Sequence, residues 1–554
     1  MSSEMLSKSE VKYEQNEMEG SQEKLALKDE DSKDFYKVNE AYNEKGFPLL
    51  SRPMIPLLLT CSVVYFVSTN TGFDGSLMSS IYTQQDYLDK FNLSINSSTS
   101  TGLVFSIYNV AQICAAFFCP LIDFWGRKKL ILIGCWGTVL GAIITAFAQN
   151  KETLIAGRFV LSFFTTLANT SASLYVTEIA NTYNRSVVAG CYNTLWYIGS
   201  VLAAFTSYGA NVNLGGTELA FRLPLGIQAV FPGLVGIFGF FIPESPRWLV
   251  GVGREKEAEE MIAKYHCNGD FSHPLLEHEM VQINESFRGN KLAQSLKILD
   301  LRPIFQNNNA YRSILVILMA FFGQFSGNNV CSYYLPTMLR NIGMTTVSTN
   351  VLMNAFYSLI SWFSSIAGSF AHQKVGRRKM FMFSTLAASA CLTGLAVATA
   401  RYQATSAFAA STTAIVFIYL FGVMFSFAFT PMQPIYPAEI SSNVLRSRSM
   451  IVLNITAGCA QFINQFAAPA AMENIKYWFY VFYVFWDIFE CIIIYFFFVE
   501  TKGKSLEEID AIFEARNPRK VSVGDYSDED GPKINWLYMR SVGQYVSRRK
   551  SGMN

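Results

Sequence analysis

Asp123-Phe124-Trp125-Gly126-Arg127-Lys128-Lys129 is answered 250 residues later by Gln373-Lys374-Val375-Gly376-Arg377-Arg378-Lys379. Two further echoes keep the same order. Tyr175-Val176-Thr177-Glu178, with Arg185 seven residues on, returns as Tyr436-Pro437-Ala438-Glu439 with Arg446 seven residues on. Pro243-Glu244-Ser245, which opens the stretch Pro243 to Leu249, returns as Val499-Glu500-Thr501. Three local patterns repeated at offsets of about 250–260 residues mean that the chain is an internal duplication.

What is duplicated follows from composition. Of 554 residues, 51% are hydrophobic and 16% are charged, against the roughly 25% charged of a soluble domain. Twelve apolar segments lie at about 54–80, 102–124, 130–149, 154–176, 187–209, 222–242, 313–335, 351–371, 379–400, 412–436, 449–471 and 479–498. Some 20 apolar residues cross about 30 Å of hydrocarbon as a helix, the only open-ended element that satisfies its own backbone in lipid. The sequence therefore predicts an all-α membrane protein, with twelve transmembrane helices in two pseudo-symmetric six-helix halves. It divides into a disordered tail 1–53, a first half 54–242, a polar central segment 243–312, a second half 313–498 and a tail 499–554.

Each echo falls at the same end of the bundle, and that end is basic. Arg127, Lys128 and Lys129 follow the second segment, Lys374, Arg377, Arg378 and Lys379 the eighth, and Arg446 and Arg448 the tenth, whereas 81–101 and 150–153 are poor in Lys and Arg. The positive-inside rule puts both termini and the central segment in the cytoplasm. Loop 81–101 is then external, and its Asn92-Leu93-Ser94 and Asn96-Ser97-Ser98 are glycosylation acceptors by pattern. Positive-inside topology accounts for the basic residues but not for Glu178 and Glu439, each at an equivalent helix end with an Arg at fixed spacing. A network of acids and bases clasping the halves accounts for both. Its candidate members are Asp123, Arg127, Glu178, Arg185, Glu244 and Arg247 in the first half and Arg377, Glu439, Arg446 and Glu500 in the second.

Asp74 is the sharpest single signal in the apolar segments, because a carboxylate inside a membrane helix is costly and marks function by default. It lies about 10 Å short of the outer end of segment one, and Arg158 sits at similar depth in segment four. An Asp that can exchange its Arg for a proton suits proton coupling; a static ion pair is the plainer alternative. Segment seven carries Gly323-Gln324-Phe325-Ser326-Gly327-Asn328-Asn329 and then Tyr333. A break at Gly327 would let Gln324, Asn329 and Tyr333 face one cavity, as in the discontinuous helices of transporters. Helix–helix hydrogen bonding is the alternative. Further amides are Asn193, Asn354 and Gln461. Amides and aromatic rings without a dominant charge suit an uncharged, polyhydroxylated ligand.

Other chemistries find little support. The 10 Cys are dispersed, nine of them in apolar segments, and read as packing residues. His273 and His278 near Glu277 and Glu279 read as a solvated loop, so no metal site and no cofactor is expected. Gly503-Lys504-Ser505 lacks the earlier Gly of a P-loop, which would fall at Phe498. Uphill transport would have to draw on an ion gradient. Nothing suggests an enzyme or a nucleic-acid partner; the expected partners are a small molecule, the proton and the lipid bilayer, with a monomer as the working unit.

These motifs resemble the sugar porter family of the major facilitator superfamily over about residues 55–515. The resemblance rests on Gly126-Arg127-Lys128, Pro243-Glu244-Ser245-Pro246-Arg247, Gly376-Arg377-Arg378 and Glu500-Thr501-Lys502-Gly503. Tyr192 to Trp196, Lys264 to Asp270, Gly323 to Asn329 and Phe429 to Gln433 look most like its yeast lactose permease branch and fungal relatives. It implies a proton-coupled sugar symporter of the fungal plasma membrane, working by alternating access, with lactose or a related disaccharide as substrate. A monosaccharide carrier (galactose or glucose), with or without proton coupling, and a transport-inactive sugar sensor are the alternatives. By motif position Asp74 and Arg158 fall on the proton-coupling pair. Asn193, Gln324, Asn328, Asn329, Tyr333, Asn354 and Gln461 fall on or beside sugar contacts. Hexose porters usually have Gln at Asn193, Gln at Gly323 and Trp at Pro434, and the shorter side chains here imply a roomier pocket.

Overall fold

The computed structural model describes residues 54–81, 84–93, 98–180, 184–286, 301–306, 308–328, 331, 338–339, 347–442, 446–504, 506–515 and 517–524. Twelve long helical elements stand at the twelve expected places. The first half contains α1 (Ile55–Ile81), α2 (Ser98–Ala116), α3 (Arg127–Ala146), α4 (Lys151–Ile179), α5 (Arg185–Thr194 continued by Trp196–Leu214) and α6 (Leu219–Ile227 continued by Val230–Phe238). The second contains α7 (Asn308–Phe325), α8 (Val347–Val375), α9 (Arg377–Thr405), α10 (Phe408–Met432), α11 (Arg446–Asn474) and α12 (Trp478–Phe497).

Among the described residues eight of these are long and apolar enough to cross a membrane by length and composition. The other four, α2, α7, α8 and α11, carry buried or cavity-facing amides such as Asn109, Gln324, Asn354 and Asn464. A helix can carry such groups in a membrane only where it turns them away from lipid. The lipid-facing side is the reverse: Phe240, Phe241, Phe485 and Phe496 are exposed.

The halves meet along two seams, α2 against α11 and α5 against α8. Asn109 Nδ2 donates to Gln465 Oε1 at 2.7 Å across the first, and the Ser200 and Ser358 hydroxyls lie 2.7 Å apart across the second. Within a half, small residues bring backbones together. A Cβ on Gly72 of α1 would stand 1.8 Å from the Trp196 carbonyl oxygen of α5, and one on Gly199 would stand 1.9 Å from that of Thr69. Gly368 of α8 meets the Phe427 carbonyl oxygen of α10 in the same way, at 1.8 Å.

Short helices cover the basic end. Pro246–Gly251, Glu255–His266 and Pro274–Ser286 follow α6, and Leu506–Glu514 and Pro518–Val523 follow α12. They are pinned by directed bonds: Trp248 Nε1 donates to the Asp123 carbonyl at 2.7 Å, and Arg312 holds the side chain of Asp510. Asn96, the second glycosylation acceptor, lies outside the described residues.

The glycine contacts are checkable. Gly72→Val puts a branched side chain against main chain that cannot yield, so the loss should exceed the ~1–3 kcal/mol typical of overpacking. A thermal melt of the detergent-purified protein followed by size exclusion should show a large fall in midpoint. A midpoint within a degree or two of wild type would mean that α1 and α5 are not in backbone contact.

Candidate functional site

A cavity opens between the halves, walled by α1, α2, α4 and α5 on one side and by α7, α10, α11 and the Asn328 segment on the other. Its empty volume, including the mouth open to solvent, is about 1390 Å³. Asp74 and Arg158 are the charged residues on its wall; the rest of the polar lining is amide, hydroxyl and aromatic.

Asp74 and Arg158, 84 residues apart in sequence, meet with Arg158 Nη1 3.4 Å from Asp74 Oδ1. Both are buried, as is Gln228 of the α6 region, whose Nε2 donates to the same oxygen at 2.7 Å. The Arg158 guanidinium also lies 5.8 Å from the Tyr108 ring centroid. One carboxylate oxygen is thus shared between a cation and a neutral amide. If Arg158 withdraws, Gln228 still holds the carboxyl in place, whichever protonation state it adopts.

Helix seven breaks where its glycine allows. α7 ends at Phe325, Ser326 and Gly327 form a bend, and Gly327 takes φ +83°, in the region that favours glycine. Gln324 before the bend and Asn328 after it both reach the cavity wall. Asn193 and Gln461 lie on that wall too, and Asn193 Nδ2 donates to the Thr430 carbonyl at 2.6 Å. Asn354 is buried on α8 away from the lining. Asn329 and Tyr333 lie outside the described residues. Gly323 does not leave empty space: a Cβ there would come within 2.6 Å of Gln433 Nε2, so the side chain of Gln433 occupies the room that the missing one vacates.

Residues 60–513 match the family profile described as "Sugar (and other) transporter". The chain belongs to that family. Curated relatives include the MFS-type transporter criB of Aspergillus cristatus, 27% identical over 472 residues, covering 83% of this chain and 94% of that protein. The high-affinity glucose transporter of Kluyveromyces lactis is 26% identical over 490 residues, 84% of this chain and 88% of that protein. In three dimensions the proton:xylose symporter XylE, solved with 6-bromo-6-deoxy-D-glucose, superposes with a TM-score of 0.73 at 18% identity, covering 82% of this chain and 98% of XylE. These relatives are transporters, not enzymes, and the shared fold is the major facilitator one.

The duplicated motifs of this sugar transporter family member build the same device twice at the basic end. Gly126 at φ +89° and Gly376 at φ +103° each precede a helix whose first amides are capped by a distant carboxylate. Glu244 Oε1 accepts from the N–H groups of Arg127 at 3.0 Å and Lys128 at 3.2 Å. Glu500 accepts from those of Arg377 at 2.9 Å and Arg378 at 3.1 Å. Only glycine lets the carboxylate so close, since a Cβ would stand 2.4 Å from Glu244 Oε2 and 2.6 Å from Glu500 Oε2. Behind each cap lies a buried pair: Arg127 Nε with Glu178 Oε2 at 2.9 Å, and Arg377 Nη2 with Glu439 Oε1 at 3.0 Å. Tyr175 and Tyr436 donate to the Pro243 and Val499 carbonyls at 2.9 and 3.0 Å, closing both copies alike.

Among the described residues, contacts at Glu178 and Asp123 join the copies. Arg446 Nη1 of α11 reaches Glu178 Oε1 of α4 at 3.4 Å, and the Ser447 hydroxyl donates to Asp123, which also lies 3.5 Å from Arg127. Arg247 donates to the Glu178 carbonyl at 3.4 Å, and Arg185 is buried against a small cavity shared with Glu178 and Arg247.

Sequence reading passed over Gln228, Asp487, Glu490 and His266. Asp487 and Glu490 meet the same rule as Asp74, being carboxylates in an apolar helix, but they stand outside the duplicated motifs. Gln228 carries no pattern at all. His266 lies with Nε2 2.9 Å from the Ile179 carbonyl and Nδ1 2.6 Å from Glu279 Oε2. Two acceptors demand two donors, which only imidazolium supplies. Burial works against that charge, but the Glu279 carboxylate overrides it and holds the pKa above its ordinary 6.5. A raised folded value means that the pair adds stability fully present below about 6.5 and lost as pH rises through the folded value. The thermal stability gap between wild type and Glu279→Gln should therefore be widest in acid and narrow toward alkaline pH. A gap constant with pH would show that His266 does not titrate in this range.

Proposed function

We propose that this chain is a proton-coupled symporter that carries a neutral sugar, lactose or a related disaccharide, across the plasma membrane into the cell by alternating access. The observation that carries the reading is Asp74, buried on the wall of an otherwise uncharged amide-lined cavity and sharing one oxygen with Arg158 and Gln228. A carboxyl placed where ligand and solvent reach it, beside a cation that can take over its counter-charge, has what is needed to gain and lose a proton during the cycle. The proton gradient then supplies the work, and both termini face the cytoplasm with the basic end.

Gln324, Asn328, Asn193 and Gln461 offer donors and acceptors together, which suits hydroxyls that are each donor and acceptor. Asn329 and Tyr333 are proposed sugar contacts on the family resemblance and on the break at Gly327, and Asn354 on the resemblance alone. The disaccharide rests on the resemblance to the lactose permease branch and on the short side chains at Asn193 and Pro434. Gln433 in the space beside Gly323 weakens one part of that argument. A hexose reading draws on the glucose transporters among the relatives.

Two measurements decide. Asp74→Asn should abolish uphill accumulation and sugar-induced proton uptake while sparing exchange; normal accumulation in that variant would remove Asp74 from coupling. In competition, cellobiose should block tracer lactose uptake strongly and free glucose weakly. The reverse order would replace the disaccharide by a hexose.

A further inference from the structure

Asp487 and Glu490 stand near the middle of α12, Asp487 nine residues and so about 14 Å from its first residue. Both are wholly buried. They are one turn apart on the face that α12 turns inward, while Phe485, Phe489 and Phe496 face outward. Among the described residues three of their four carboxyl oxygens have no hydrogen-bond partner; the fourth, Glu490 Oε1, accepts from Trp486 Nε1 at 2.5 Å. Among the described residues no Lys, Arg or His is paired with them. Titratable neighbours among the described residues include Cys331 beyond the helix-seven bend, facing Asp487, and Tyr483 of α12 itself.

Two carboxylates one helical turn apart, with no counter-ion among the described residues, repel each other, and hydrocarbon burial opposes ionising both. This pair is also tied to the cavity. Tyr483, one turn before Asp487, donates to Asn464 Oδ1 at 2.7 Å, and Asn464 Nδ2 donates to the Gln324 carbonyl at 2.6 Å. Gln324 is the cavity-wall residue at the end of α7, and the Tyr483 ring packs 3.6 Å from where a Cβ of Gly327 would be, at the bend itself. A change in the α7 bend must therefore move Tyr483.

We propose that Asp487 and Glu490 form a second proton-binding site, in the half of the molecule opposite Asp74, coupled to the cavity through Tyr483, Asn464 and the Gln324 backbone. Proton is the ligand, bound to carboxyl oxygen and released to solvent when the helix-seven bend opens the site. This goes beyond the reading of Asp74, which needs only one carboxyl.

Infrared spectroscopy of the purified full chain in lipid tests it through the carbonyl stretch of protonated carboxyls. Wild type should show a buried protonated-carboxyl band at neutral pH that is lost in Asp487→Asn/Glu490→Gln and kept in Asp74→Asn. If the double variant does not fold, the single variants, each retaining one carboxyl, should each lose part of the band. Lactose, with glucose as second probe, should shift the band in wild type and leave it unmoved in Tyr483→Phe, which keeps the pair and cuts the link. A band absent from wild type, surviving both substitutions, or indifferent to a sugar that the protein takes up would overturn the proposal. Failure of both sugars to enter proteoliposomes would instead sink the transport reading, while the sugar-free band would still decide whether the pair holds its protons.

Discussion

Glu178 answers two arginines at once, Arg127 from its own half and Arg446 from the other, and the basic end of the molecule is organised around that sharing. Stripping a buried carboxylate of its partner costs about 3–5 kcal/mol. If Arg446 were its sole partner, parting the halves would meet that cost in full. Arg127 stays with Glu178 whether or not the halves separate, so only the weaker contact at 3.4 Å has to break. Arg446 in turn keeps the Ser441 carbonyl at 3.4 Å. On the Glu178 side, parting the interhalf contact therefore leaves no uncompensated carboxylate. The duplication sets Glu244 and Glu500 as helix caps, with Glu178–Arg127 and Glu439–Arg377 paired behind them.

The same logic of charge and hydrogen-bond satisfaction allocates the helices. α3, α6, α9 and α12 do not line the cavity and are free to be apolar toward lipid. α2, α7 and α11 line it and α8 builds a seam, and each carries amides or hydroxyls on its inward side. α7 goes furthest. Its bend at Ser326 and Gly327 falls between Gln324 and Asn328, both of which line the cavity. The freed backbone is taken up locally, with Cys331 N–H donating to the Gly327 carbonyl at 3.1 Å and the Asn464 amide donating to that of Gln324 at 2.6 Å. A broken helix in a membrane survives only with such replacements. Here the replacement at Gln324 also connects the bend to α11 and α12.

Much of this was legible in the sequence because it is written in strong, local rules. Apolar length located all twelve elements, and the glycine-arginine echoes located both capped helix starts. Asp74 and Arg158 were found by cost, since either charge alone in a helix would be too expensive. What was not legible depends on side chains meeting across large sequence distances. Gln228 reaches Asp74 from 154 residues away, and a lone amide in an apolar helix announces no partner. The repeat names Glu178 and Arg446 as members of a clasp between the halves, but which acid meets which base cannot be read from it. Gly323 shows the limit most clearly. A missing side chain reads as added room, yet Gln433 from α10's end fills it, so the pocket's shape there depends on two positions together. A substitution at Gly323 therefore acts first on where Gln433 can point, and pocket size in this family cannot be counted from one helix at a time.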